Sequence, residues 1–227
     1  MSDTRTLPTS PVGVVSLFAA PALLLASALV QPALKSDERA QVREILAHHD
    51  RYFVFTLLIL VGTMLLVPAF HVLGHASSAP SRATRVGSAL AVFGALVGTG
   101  DAMTQFVFLQ MAVPGRDLDQ MAAVIQDFDS ANGPAQTFAL GGLALIIGGV
   151  VLAVGLRRDG LAPAWASVLV AVGITANMAG FVVQSVSLLV ASSALLVVGL
   201  GRLGLTLLGR TDRHAGRGVR REAVSSV

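Results

Sequence analysis

Six apolar stretches, at 12–34, 52–73, 86–113, 136–156, 163–183 and 185–208, constrain this chain more than any other feature of its sequence. Each is long enough to cross a hydrocarbon core of roughly 30 Å as a helix rising about 1.5 Å per residue. A backbone in lipid has to bond its own N–H and C=O groups, and none of the six alternates apolar and polar residues as a barrel strand does. The sequence therefore predicts an all-α fold, a polytopic transmembrane helical bundle of six spans. Residues 12–208 form its single domain, between an N-terminal segment (1–11) and a basic tail (209–227). Composition agrees: 13% of the residues are charged, against roughly 25% in a soluble domain, too few to cover a water-exposed globule.

Two boundaries need argument. No Gly or Pro marks a turn at Gln184–Ser187, yet 163–208 as one helix would run roughly 70 Å, so a tight hairpin is predicted there. The first stretch has leader-like features, Leu23-Leu24-Leu25 followed by Ala26-Ser27-Ala28. A single preceding arginine and an apolar run that continues through Leu34 favour a retained span. Pro21 and Pro68 fall inside spans one and two, where proline is tolerated.

Basic residues set the expected orientation. With the N-terminus inside, the cytoplasmic side holds Arg5, Arg82, Arg85, Arg157, Arg158, Arg202 and the tail arginines Arg210, Arg213, Arg217, Arg220 and Arg221. The other side holds Lys35, Arg39, Arg43, Arg51 and Arg116. That asymmetry predicts N-in/C-in, most simply in a bacterial plasma membrane. It also accounts for the net charge of +3 without a nucleic-acid partner; the lipid bilayer is the partner expected. The outer loops are then 35–51, which is helix-permissive, and 114–135, which ends in the turn signal Asn132-Gly133-Pro134.

The chain has no cysteine, which excludes disulfides, thiolate metal sites and thiol nucleophiles. His71 and His75 have a metal-compatible i, i+4 spacing at the end of span two. No third ligand accompanies them, so they read as interfacial histidines, and no metal or cofactor is expected. Neither a P-loop nor a dinucleotide fingerprint nor a serine elbow is present.

Asp101, near the middle of span three, is the residue to explain. A carboxylate at bilayer depth should face the bundle interior, where it is neutral, hydrogen-bonded or paired, which makes it a candidate proton donor or relay. Thr104 and Gln105 follow at i+3 and i+4, within reach on the same helix face. Spans three and five share a face pattern, Gly94, Gly98, Asp101, Gln105 against Gly173, Asn177, Gly180, Gln184. With Gln110 and Gln136, these residues define an outward polar cleft floored by Asp101. The alternative is that Asp101, Gln105 and Asn177 only bond between helices. Gly94-Ala95-Leu96-Val97-Gly98 is a GxxxG, read as packing within the bundle rather than dimerisation.

The run His49-Asp50-Arg51-Tyr52-Phe53, the following TLLILVGTMLLVPAFHVL and the third-span VGSALAVFGALVG resemble a large group of actinobacterial multi-span membrane proteins with no assigned activity. The likeness covers most of residues 12–208 and implies the six-span plan, nothing more. Three functions stay open. The first is binding or passage of a small apolar or weakly polar molecule through the outward cleft, with Gln105, Thr104, Asn177, Gln184, Phe106 and Phe181 as contacts. The second is an embedded enzyme, such as a small terpene cyclase, with Asp101 as general acid and Phe106, Phe108 and Phe181 facing a developing cation. Against it, no second intramembrane carboxylate is evident. The third is a structural or partner-stabilising subunit.

Overall fold

The computed structural model describes residues 10–33, 37–130 and 133–225, with side chains up to residue 209. The expectations for Arg5, Leu34, Lys35, Asn132 and the tail arginines from Arg210 onward lie outside those described residues and side chains. Among the described residues eight helices follow in order: α1 (Pro11–Val30), α2 (Glu38–Ala47), α3 (His49–Gly74), α4 (Arg82–Met111), α5 (Leu118–Asp129), α6 (Ala135–Arg158), α7 (Ala164–Val182) and α8 (Val186–Ser225). Six are long and apolar enough to cross a membrane: α1, α3, α4, α6, α7 and the Val186–Gly209 part of α8. They fall on the six predicted stretches, and the protein is a multi-span membrane protein. Pro21 and Pro68 lie inside α1 and α3 as anticipated.

The six spans form a closed ring in chain order. Each packs on its sequence neighbour among the spans, and α8 returns to α1. Large apolar side chains cover the outside; Val182, Leu140 and Phe93 are 84%, 67% and 54% exposed. Apolar surface of this extent on helices of this length fits a lipid surround. Inside, Leu17, Phe70, Leu152 and Leu200 are buried in one continuous core. The short helices α2 and α5 pack against each other across one end of the ring, here called the cap face. Val42 of α2 meets Met121 and Ile125 of α5 in a small apolar cluster. Beside it, Arg39 and Asp119 form an exposed ion pair at 3.0 Å.

Lipid tails are as apolar as leucine, so helices in a bilayer associate by close packing rather than by escape from water. The closest approach is between α4 and α6. Gly87 and Gly94 of α4 and Gly148 and Gly155 of α6 each face the opposing backbone, at Leu152, Leu145, Ala91 and Thr84 respectively. A Cβ on any of the four would overlap main-chain atoms that cannot swing aside. Spacing by seven residues keeps these glycines on one antiparallel seam. The GxxxG is only half used for packing: Gly94 is in the seam, whereas a Cβ on Gly98 would meet nothing within 4 Å.

Helix ends are satisfied by reaching across. On the cap face, the Arg51 guanidinium donates from Nε to the Val30 carbonyl (2.7 Å) and from Nη2 to that of Gln31 (3.2 Å), covering free carbonyls at the end of α1. At the opposite face the Asp159 carboxylate, just past α6, accepts from the Ser81 N–H (3.2 Å) and the Thr84 hydroxyl (2.6 Å) at the start of α4. A negative charge there also complements the helix dipole. Slight burial pushes the Asp159 carboxyl upward, but the hydrogen bonds from Thr84 and Ser81 outweigh it and hold the group below the ordinary aspartate value.

The hairpin between α7 and α8 is as tight as length required, and its signal is conformational. Gln184 takes φ 53°, the left-handed position usually given to glycine, and the Ser185 N–H returns to the Gly180 carbonyl at 2.9 Å.

Two outcomes follow from this packing. Gly148→Leu and Gly87→Leu should each destabilise the bundle by about 1–3 kcal/mol, the usual cost of overpacking, while Gly98→Ala should be neutral. Circular-dichroism melts in detergent check this, and equal melting temperatures for all three would refute the seam. For Asp159, the folded value is depressed, so its contribution is present above the unfolded value of about 3.9 and lost as pH falls through the lower folded value. The stability gap between wild type and Asp159→Asn should therefore be open at neutral pH and close on strong acidification. A gap constant with pH would show that the charge contributes nothing.

Candidate functional site

The ring is tight at the α4–α6 seam but encloses a cavity of about 560 Å³ along its axis. Every span contributes to the wall: Leu24 from α1, Phe70 from α3, Gly98 from α4, Phe138 from α6, Ile174 from α7 and Leu196 from α8. The cavity runs from Phe70 and Leu196, deep in the bundle, to Asp129 and Ala135 at the cap face. Gly98, which lacks any neighbour to fill its place, helps keep it open. The wall is apolar except at Asp101, Asn177, Asp129 and Thr63, and Thr63 donates its hydroxyl back to the Ile59 carbonyl at 2.8 Å.

The predicted residues divide into two groups. Asp101, Asn177 and Phe181 line the cavity together. Thr104, Gln105, Phe106 and Gln184 are not among the lining residues. The Thr104 hydroxyl donates to the Asp101 main-chain carbonyl at 2.6 Å, a bond within the helix. Gln105 turns toward α3, where its Oε1 accepts from the Tyr52 hydroxyl. Phe106 also faces α3 and meets Phe53 edge-on with ring centroids 6.1 Å apart. Gln184 is an exposed turn residue, and Gln110 and Gln136 are exposed as well. A face shared along two sequences thus separates once each helix has its own rotation in the ring.

Asn177 sits both on the cavity wall and at a helix contact. It lines the cavity, and its amide donates to Ser192 (3.2 Å) and Ser193 (3.3 Å), tying α7 to α8. Asp101 differs. Among the described residues, no side chain donates to its carboxylate. Tyr52 lies within electrostatic reach of it, but the phenol hydrogen goes to Gln105.

Sequence reasoning missed Asp129. It ends α5, a helix hidden within what read as the long loop 114–135, and it joins Asp101 in lining the cavity. A second carboxylate thus reaches the same cavity, from the cap-face helix α5 rather than from within a span. The two are close enough for their charges to interact. Burial, then the negative charge of Glu38 on α2, holds the Asp129 carboxyl above the ordinary aspartate value. The signal was present. Asp117 caps α5 by accepting from the Asp119 N–H at 2.8 Å, and Met121, Ala122, Ile125 and Phe128 form one apolar stripe.

Phe138 was missed too. Its ring stacks on Phe128 (centroids 5.9 Å), which in turn meets Phe108 edge-on at 5.3 Å. These aromatic contacts seat α5 on α4 and α6, holding Asp129 over the mouth.

His71 and His75 lie at the other end of α3, with ring centroids 4.4 Å apart and the His75 Nδ1 2.9 Å from the His71 carbonyl. Among the described residues no three metal-ligating side chains converge. In comparisons with known proteins, no family model, curated protein or solved structure matches this chain, so the chemistry of the cavity rests on its own residues.

Proposed function

We propose that this protein binds, or passes, a small apolar or weakly polar molecule in an intramembrane cleft that opens at the cap face. The single observation carrying this is the axial cavity, apolar along its length and polar at Asp101, Asp129 and Asn177. Its volume falls within the roughly 300–1,000 Å³ of small-molecule sites, which combine apolar walls with a few placed polar groups. Basic residues favour the cap face as the outer one: the two outer loops hold five of the sixteen, and the N-terminal, 82–85, 157–158 and 202–227 segments hold eleven. In a bacterium that arrangement belongs to the plasma membrane.

One observation keeps an enzymatic reading in play. Asp129 beside Asp101, with the rings of Phe138 and Phe181 on the same wall, supplies the carboxylic acids and aromatic faces that a terpene cyclase uses to start and hold a carbocation. In that case Asp101→Asn would end turnover of a polyprenyl substrate while leaving its binding intact.

Two measurements test the proposal. Single cysteines placed at position 120 and at position 158, in a chain that has none of its own, should respectively react and not react with an impermeant thiol reagent on intact cells. The reverse pattern would invert the orientation. Radiolabelled decanol should bind the protein in zwitterionic-lipid nanodiscs above an empty-nanodisc blank. Gly98→Phe, which extends a ring into open space, should abolish that binding without lowering the melting temperature. Binding unchanged by Gly98→Phe would place the alcohol elsewhere and remove the support for a ligand cleft.

A further inference from the structure

The cavity has a charge imbalance that a neutral ligand would leave unanswered. Asp101 and Asp129 both line it, and no arginine, lysine or histidine is among the lining residues. Two basic groups of the cap face are engaged elsewhere: Arg51 on the carbonyls ending α1, and Arg39 on Asp119. Several neighbouring polar hydrogens are also committed, that of Thr104 to a main-chain carbonyl, that of Tyr52 to Gln105 and those of Asn177 to serines. Glu38 adds a third negative charge within electrostatic reach of Asp129. A buried charge without a partner is costly, whereas a charged donor brought to it forms the strongest class of hydrogen bond.

Two further features select what kind of cation fits. The Phe138 and Phe181 rings line the same cavity, and aromatic rings attract cations. Beyond them the cavity is apolar down to Phe70 and Leu196, which a hydrated metal ion or a small polyamine would not fill.

Resting on the ligand-binding reading above, we propose that the cavity takes a lipophilic amine. Its ammonium group lies between Asp101 and Asp129 at the cap-face end, and its hydrocarbon part occupies the apolar length of the ring. Glu38 makes the approach negative, which favours cations before they enter.

Decylamine, decanol and decanoate are matched in tail and differ in head charge; the amine is protonated at neutral pH as a lysine is. Binding of each radiolabelled probe is measured on the full chain in zwitterionic-lipid nanodiscs, with empty nanodiscs subtracted. The amine should bind at least about tenfold more tightly than the alcohol, the gain expected of one charge-assisted hydrogen bond, and decanoate should not bind. Asp101→Asn and Asp129→Asn should each bring the amine toward the alcohol's affinity while leaving the alcohol unchanged. Asp101→Glu, which keeps the charge, should retain the preference and so separates charge from fold. Equal affinity for amine and alcohol, or a preference untouched by both Asn variants, would overturn the cation assignment while decanol binding still upheld the cleft. Failure of both probes to bind wild type above the blank would remove the cleft, and the amine with it.

Discussion

Backbone contact between α4 and α6 is the constraint from which the rest of the bundle follows. Where Gly87, Gly94, Gly148 and Gly155 meet the opposing main chain, two helices approach more closely than any side chain would allow. Dispersion between such surfaces replaces the hydrophobic drive that a bilayer withholds. The seam fixes the rotation of both helices about their axes, and that rotation decides what each presents to the ring's interior. On α4 it turns Gly98 and Asp101 inward; on α6 it turns Phe138 inward and leaves Leu140 to the lipid. The other junctions use the same device more loosely, with glycine against a side chain: Gly173 against Leu196, Gly180 against Leu189 and Gly204 against Phe18.

Many of the bonded polar groups in this protein lie at the ring's ends and between its helices. At the ring's ends Arg51 and Asp159 close the termini of α1 and α4. Between helices, Ser88 donates to the Phe70 carbonyl at 2.8 Å and Asn177 to two buried serines. Such bonds contribute about 0.6 kcal/mol each on average in a bilayer. Asp101 and Asp129 stand apart, both on a cavity wall and neither paired with a described cation. Both carboxylates line the same open volume.

Much of the fold was legible because it depends on local quantities. A run of about 20 apolar residues crosses lipid as a helix whatever its neighbours do, so the spans α1, α3, α4, α6, α7 and α8 could be placed from hydropathy. The hairpin at Gln184 followed from length alone, although its left-handed residue carried no glycine to announce it. The helix α5 escaped because its apolar stripe is short and flanked by aspartates, a pattern that resembles a solvated loop until Phe128 finds Phe108 and Phe138. Gln105 and Phe106 illustrate the opposite limit. They share Asp101's helix, yet α3 draws both toward Tyr52 and Phe53.

By itself, then, the sequence determined that the chain spans a membrane six times as helices and that a carboxylate sits within the third. Tertiary structure alone decided that the spans close into a ring, that Gly98 lines an opening rather than a contact, and that Asp129 comes to the same cavity as Asp101 from 28 positions further along the chain. The physical reason is that burial in lipid acts on each segment independently. Which side chains converge depends instead on helix rotation and on long-range seating, set by glycines and aromatic rings that meet only once the bundle has formed.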